Sequence, residues 1–421
     1  EQRQYPMGRT PLEQSIQQLI QQSGLPSDDG DYRKDYLWFA NLSSKAFLDE
    51  TSELSQLMES LCKNTIGTRT RSTDIEAHRR HWQLVLLNLS RAALLNRWVL
   101  ISRKPQQYSS SSYLKRMKLS LSHMTAIVDF LHENNFIEYR EGKKYKKQSL
   151  MTRIFPTETL RKRLIVFALE IEEVIEPPYI EVREPTEAYA EGVAWDHPEM
   201  KDMAVINDFL RGYQWACKGP IKLIYKHTPF LSGRLYTAFQ GLPSRRIAIR
   251  QHTLIDGQPI AEVDYNANHL RINLAVLNGE DAGDTPYEDI GEIAGNISRS
   301  QIKSFITIAM GSDSQEKAIK ACRLEGITTD LFERIESACM TRYPALKLFA
   351  GFGIAAQNLE GLVLREALKV GVKEDKVMLP IHDAVAVQTI NTDWAADVLE
   401  QLWVEHINRA GGKAKPRLKI S

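Results

Sequence analysis

Apolar positions recur at the three-to-four spacing of an amphipathic helix over residues 11–100, so a helical region is expected over 1–100. PLEQSIQQLIQQSG carries this spacing and ends at a Gly, and HWQLVLLNLSRAALLNRWVLIS repeats it more strongly. A short Ser-rich connection, SSSSYLKRMKLS, follows. In the next stretch Ser122 or Thr125 caps a helix running to about Asn134, with Ile127, Val128, Phe130 and Leu131 facing inward. FIEYR then reads as a strand, EGKKYKK as a hairpin tip and SLMTRIFPT as the returning strand. EPPYIEVREPTEAYAEGVAWDHPE is rich in Pro and Glu and nearly aperiodic, which marks a linker over 177–198. Beyond it, PIAEV reads as a strand ended by Asp264, and NHLRINLAVLNG as a helix closed by Gly279. In KVMLPIHDAVAVQ two apolar runs are interrupted by His382 and Asp383. Asp favours turns and His tolerates left-handed dihedrals, so a hairpin is expected there. The chain therefore divides into 1–100, 101–176, the linker, and 199–421.

A chain of 421 residues has room for two or three domains. Its 43% hydrophobic and 25% charged residues suit a soluble globular protein. No run of about 18 apolar residues is present to span a membrane. The start, EQRQYPMGRTPLEQ, lacks the apolar core and cleavage site of a signal peptide, and without an initiator Met it reads as trimmed or processed. Cys62, Cys217, Cys322 and Cys339 are scattered, with no CxxC pair and no His at metal spacing, so free thiols in a reducing cytoplasm are expected. A net charge of +1 excludes a uniformly basic coat. Charge is segregated, however: 103–163 is crowded with Lys and Arg, whereas 170–176 reads EIEEVIE. This asymmetry points to a basic module joined to a different one.

A helix followed by a ribbon with a basic tip resembles a winged-helix domain. That resemblance implies a helix docked in a DNA groove and a ribbon touching the backbone. Lys143, Lys144, Lys146 and Lys147 around Tyr145 suit salt-dependent phosphate contacts. The plainer alternative is a solvated hairpin kept soluble by its charges.

Asp264, at the tip of a buried strand opening into a helix, is well placed to hold a hard cation. Paired with Asp383 it supplies the two separate carboxylates that Mg²⁺ sites for nucleotidyl transfer require. DYNANHLR (264–271) resembles motif A of family A DNA polymerases, and LPIHDAVAV (379–387) resembles their motif C, the His-Asp hairpin. SGRLYTAFQGLPSRR (232–246) is similar to the Gly-Arg-Leu segment that precedes motif A. The related single-subunit RNA polymerases share this architecture. The resemblance implies an α+β fold: a right-hand palm of antiparallel sheet backed by helices, with reduced fingers. It also implies two Mg²⁺ (or Mn²⁺) ions held by Asp264 and Asp383, with the Tyr265 carbonyl completing the site. Arg271 would support motif A through hydrogen bonds, His382 would approach the primer terminus, and Arg234 would face the duplex minor groove. The partners implied are DNA (primer–template or single strand) and nucleoside triphosphates, as in replication by a phage or mobile element. Plainer readings make Arg271 a helix-surface cation and Tyr265 a core aromatic.

The sequence also departs from that family. SRSQIKSFITIAMGSDS (298–314) keeps Arg299, Lys303 and Gly311 of motif B, but Thr307 and Met310 or Gly311 stand where an aromatic and a Tyr are usual. Arg299 and Lys303, four apart on one helix face, suit a cradle for triphosphate or a merely solvated basic face. His269 occupies the position where a Glu usually screens the ribose 2′-hydroxyl. An imidazole there can exclude ribose or hydrogen-bond it. AAQNLEGLVLREAL (355–368) reads as a helix with polar residues breaking an apolar face, and the resemblance implies that one of Gln357, Asn358 or Glu360 reaches the minor groove. DTPYEDIG (284–291) echoes polymerase-like proteins of mobile elements, and 200–219 leaves space for a helix or two of thumb. The function expected is extension of a nucleic-acid 3′ end, with priming or template-independent addition open. The alternative is a replication-initiator or regulatory DNA-binding protein with an inactive palm, in which buried paired carboxylates would have no purpose.

Overall fold

The computed structural model describes residues 10–22, 24–32, 34–67, 71–109, 113–145, 148–184, 197–228, 231–408 and 413–421. The architecture is mixed α+β and divides into two compact units. One comprises Glu1–Ile175, Trp215–Pro220 and Gly241–Thr253; the other comprises Glu176–Gln214, Ile221–Gln240 and Leu254–Ser421. Among the described residues no helix is long and apolar enough to cross a membrane.

In the first unit the helix Ser72–Leu95 buries Trp82, Val85, Leu86 and Leu89, and it stops where Asn96 turns left-handed at φ 49°. Four strands form a sheet in the order Tyr36–Trp38, Trp98–Ile101, Thr152–Pro156, Ile137–Arg140. The first pair is parallel and the others antiparallel. This sheet crosses residue 100, where the sequence pattern suggests a division. Residues 24–52, expected to be helical, run mainly as loops with two short strands and one 3-10 turn. The reason is local: the Asp35 carboxylate collects the backbone N–H groups of Asp29, Gly30 and Asp31, an alternative to helical pairing. The helix Leu121–Glu133 starts directly after Ser120, ahead of the capping positions expected from sequence, and Phe130 is only half-buried. The ribbon pairs Ile137–Arg140 with Thr152–Pro156 and continues as Lys143–Tyr145 against Gln148–Leu150. Lys143 is exposed and Lys144 lies on that short strand, whereas Lys146 and Lys147 lie outside the described residues.

The second unit is built around an antiparallel sheet in which Gln258–Tyr265 pairs with Ala384–Gln388, which in turn pairs with Leu379–Ile381. The other edge of Gln258–Tyr265 is shared by Leu254–Ile255 and Leu418–Ile420. Leu254–Ile255 enters through a two-residue turn, Asp256-Gly257, with both φ values positive, as a type I′ hairpin requires. Helices within 268–346 share a core around Ile302, Phe305, Phe332 and Tyr343. The helices Phe352–Lys373 and Thr392–Ile407 pack on one another, and the second also packs on the sheet. A smaller sheet pairs Lys222–Lys226 with Arg234–Tyr236 and, in parallel, with Ile180–Arg183. This last strand comes from the segment read as a linker. Its alternation of buried Ile180 and Val182 with Glu181 and Arg183 is a strand pattern masked by flanking Pro and Glu. Residues 200–219 contribute a single helix, Met200–Arg211.

One carboxylate ties together three parts of the first unit. Asp28 accepts from Tyr36 Oη at 2.6 Å and from the guanidinium groups of Arg153 and Arg140. Burial pushes its carboxyl up, but these donors outweigh burial and hold it at about 2. The folded value lies below the unfolded 3.8, so the stabilisation is complete above about pH 4 and is lost as pH falls toward 2. A shift of this size corresponds to about 2 kcal/mol. In urea unfolding between pH 5 and pH 2, wild type should therefore lose about 2 kcal/mol more than Asp28→Asn. Parallel acid limbs for the two proteins would show that the ion pairs contribute nothing.

Candidate active site

Two of the carboxylates singled out from sequence arrive together through strand pairing. Asp264 lies opposite Ala384 in the antiparallel register, so Asp383, one residue earlier at the hairpin turn, stands at the same end of the strand pair. The turn closes between Ile381 and Ala384 with His382 at φ 55°, the left-handed region tolerated by His. His382 is exposed, while Asp383 is only partly so. Burial raises the Asp264 carboxyl; Glu262 and Glu360 add to the rise, and Lys303 and Lys419 oppose it. Burial, followed by the charges of Glu360 and Asp264, raises Asp383 to about 7.

Glu360 is the third carboxylate, 1% exposed on the helix Phe352–Lys373. Its Oε1 lies 2.9 Å from Arg234 Nη2 and its Oε2 lies 3.2 Å from His269 Nε2. Asn268 Nδ2 donates to Oε2 at 3.3 Å, and Asn268 Oδ1 accepts from Trp403 Nε1 at 3.0 Å. Burial pushes the Glu360 carboxyl up, but the His269 hydrogen bond and the Arg234 charge more than offset it and hold it low. Glu360 is therefore a fixed anion beside two desolvated aspartates. Gly361 allows this arrangement. A Cβ there would meet the Gly233 carbonyl oxygen at 1.8 Å, so only glycine admits the loop that carries Arg234.

The remaining expected residues are distributed around this centre. Arg271 is 2% exposed and donates to Asn266 O at 2.8 Å, so it is a buried brace of the strand–helix turn, not a surface cation. The Tyr265 side chain is core, its hydroxyl donating to Leu399 O at 2.8 Å. On the helix Arg299–Gly311, Arg299, Lys303 and Thr307 occupy the exposed face. Arg299 pairs with Glu288 at 2.9 Å and donates to Asn266 Oδ1 at 3.0 Å, while the Lys303 charge acts on Asp264. Met310 is fully buried, and a Cβ on Gly311 would meet open space. Gln357 accepts from Ser232 Oγ at 2.9 Å, and Asn358 packs against Gly233. Asn268 carried no signal in the sequence beyond a polar residue at a helix start. Glu360 could be found there only as an acid on an otherwise apolar helix face.

No group of three or more His, Cys, Asp or Glu among the described residues is arranged to hold a metal ion. The donor set fits a site of a different kind. Mg²⁺ is commonly held by one or two carboxylates together with substrate phosphates, and the two raised aspartates are the groups a cation would relieve.

No family model matches this chain, and no curated protein matches it. Among solved structures it is similar to the POL domain of Pol1 from M. smegmatis in complex with DNA primer-template and dNTP. The identity is 11% and the TM-score 0.36, covering 98% of this chain and 68% of that one.

Two substitutions test the Glu360 centre by urea or thermal unfolding. Glu360→Leu should destabilise by about 3 kcal/mol, because Arg234 loses its buried counter-charge and His269 and Asn268 lose a buried hydrogen-bond partner. Gly361→Ala should cost about 1–3 kcal/mol by forcing the 232–234 loop outward. Wild-type stability in both variants would mean the centre contributes nothing to folding.

Proposed function

We propose that the chain is a metal-dependent nucleotidyltransferase of DNA-polymerase type that extends a nucleic-acid 3′ end. The observation that carries the reading is the pair Asp264 and Asp383, brought to one end of adjacent strands and both raised by burial, with the charge of Glu360 adding to each. Desolvated carboxylates facing one another are costly unless a cation joins them. In this reading Asp264, Asp383 and the Tyr265 carbonyl hold two Mg²⁺ or Mn²⁺ ions. When bound, the ions supply Lewis-acid activation of the 3′-hydroxyl and neutralise charge on the departing pyrophosphate.

The chain's own residues have separable tasks. Lys303 and Arg299, one turn apart on an exposed helix face, receive the triphosphate, and Arg299 exchanges its Glu288 and Asn266 contacts for it. His382 at the exposed hairpin tip meets the primer terminus. Arg234, positioned by Glu360, faces the duplex, with Gln357 and Asn358 beside its loop. His269, held on Glu360, borders the incoming sugar. In the first unit, the order of helix 72–95, strand 98–101, helix 121–133 and ribbon 137–156 supports a winged-helix reading in which Lys143, Lys144, Lys146 and Lys147 meet phosphates.

Primer extension with Mg²⁺ or Mn²⁺, comparing dNTP with NTP and template with none, tests the reading. Wild type should extend the primer, whereas Asp264→Ala and Asp383→Ala should each lose at least about a hundredfold in rate, roughly 3 kcal/mol. Equal behaviour of all three proteins in every lane would overturn it.

A further inference from the structure

The first unit contains a cavity outside the Asp264–Asp383 centre. It measures about 750 Å³ and opens at the base of the ribbon, floored by Ile101 and Leu114 and walled by Tyr32 and Trp38. Its volume lies within the roughly 300–1,000 Å³ usual for ligand sites. Trp38, at the end of the edge strand Tyr36–Trp38, is 52% exposed. Its indole thus offers a large aromatic surface beside the cavity. Its ring is stacked with Tyr32 at 6.2 Å between centroids and 25° between planes, and Tyr32 in turn touches Tyr36 at 5.2 Å. The loop carrying Tyr32 is held by the buried Asp35 carboxylate, so the aromatic wall is built into the fold.

Charge at the rim narrows the occupant. Lys104 and Lys143 both line the cavity and are both exposed. Arg103 also lines it, but that guanidinium is committed to Asp129 and lies over the Tyr139 ring. Glu141 is the one acid in the lining. An aromatic wall rimmed by lysines matches a planar base carrying a phosphate on either side. Stacking on its neighbours hides the faces of a base inside a duplex, so an unstacked base of a single strand is the form that readily presents its π-face to Trp38.

We propose that this cavity binds an unpaired nucleobase of single-stranded nucleic acid, stacking it on Trp38 and meeting its flanking phosphates with Lys104 and Lys143. The site is separate from the Asp264–Asp383 centre. Binding there requires neither metal nor nucleotide, so its failure and the failure of the polymerase reading are distinguishable.

The test uses the full chain, without metal or nucleotide. Fluorescence anisotropy compares oligo(dT), oligo(rU) and a blunt duplex of equal length, with free dTMP as competitor. Oligomers bearing 5-iodouracil map the contact by photocrosslinking. Crosslinks are expected at Trp38 or Tyr32. Trp38→Ala should weaken single-strand binding about tenfold, while Trp38→Phe should largely restore it. Lys104→Ala and Lys143→Ala should each lower the salt slope by roughly 0.7. Duplex affinity should not depend on Trp38. The two oligomers report whether DNA, RNA or both are taken, and competition by dTMP at equal affinity would assign the site to a free nucleotide, overturning the strand proposal. Crosslinks that avoid both rings, or a Trp38→Ala protein that binds single strands like wild type or loses duplex equally, would also overturn it.

Discussion

The contact around which the second unit's candidate site is organised is the burial of one ionised glutamate between an arginine and a histidine. Glu360 has almost no access to water, yet Arg234 and His269 keep its carboxyl low. An anion fixed in this way cannot be screened by solvent, and its field falls on whatever lies beside it. Asp383 rises to about 7 and Asp264 also rises, burial being the first cause for both and Glu360 contributing to each. The centre thus holds one buried, compensated charge beside two partly buried carboxyls whose ionisation is disfavoured. The Lys303 charge, on an exposed helix face, opposes the rise of Asp264.

That charge arrangement rests on a backbone approach. The Gly233 carbonyl enters the space where any side chain at 361 would sit, and Gly233 itself has φ 65°. Arg234 follows directly, and its guanidinium reaches Glu360 at 2.9 Å. Asn268 completes the assembly as a bridge of fixed orientation, accepting from Trp403 and donating to Glu360. Because the same amide touches the helix Thr392–Ile407 and the helix Phe352–Lys373, the centre is pinned from two directions.

Much of the local structure was legible in the sequence. The hairpin around His382 and Asp383, the helix closed by Gly279 and the ribbon following the helix Leu121–Glu133 follow from patterning and turn chemistry, while the helix Arg299–Gly311 was implied by the motif B resemblance. The patterns failed where side chains or neighbours override propensity. Residues 24–52 do not form helix because Asp35 takes up backbone donors, and Ile180–Arg183 becomes a strand inside a Pro- and Glu-rich segment because Lys222–Lys226 is available to pair with it.

For the candidate site the division is similar. Sequence by itself determined which residues could carry charge chemistry and which short elements would hold them: Asp264 before a helix, Asp383 in a turn, Arg299 and Lys303 a turn apart. It left Glu360 as one of three polar residues on a helix and gave Asn268 no role. Tertiary structure decided that Glu360 faces inward while Gln357 and Asn358 lie nearer the surface, that Arg271 is buried, and that Tyr32 and Trp38 form one wall. The physical reason is that burial and charge coupling belong to no residue alone. They arise when distant segments exclude water from one another, and a linear pattern records only the capacity for it.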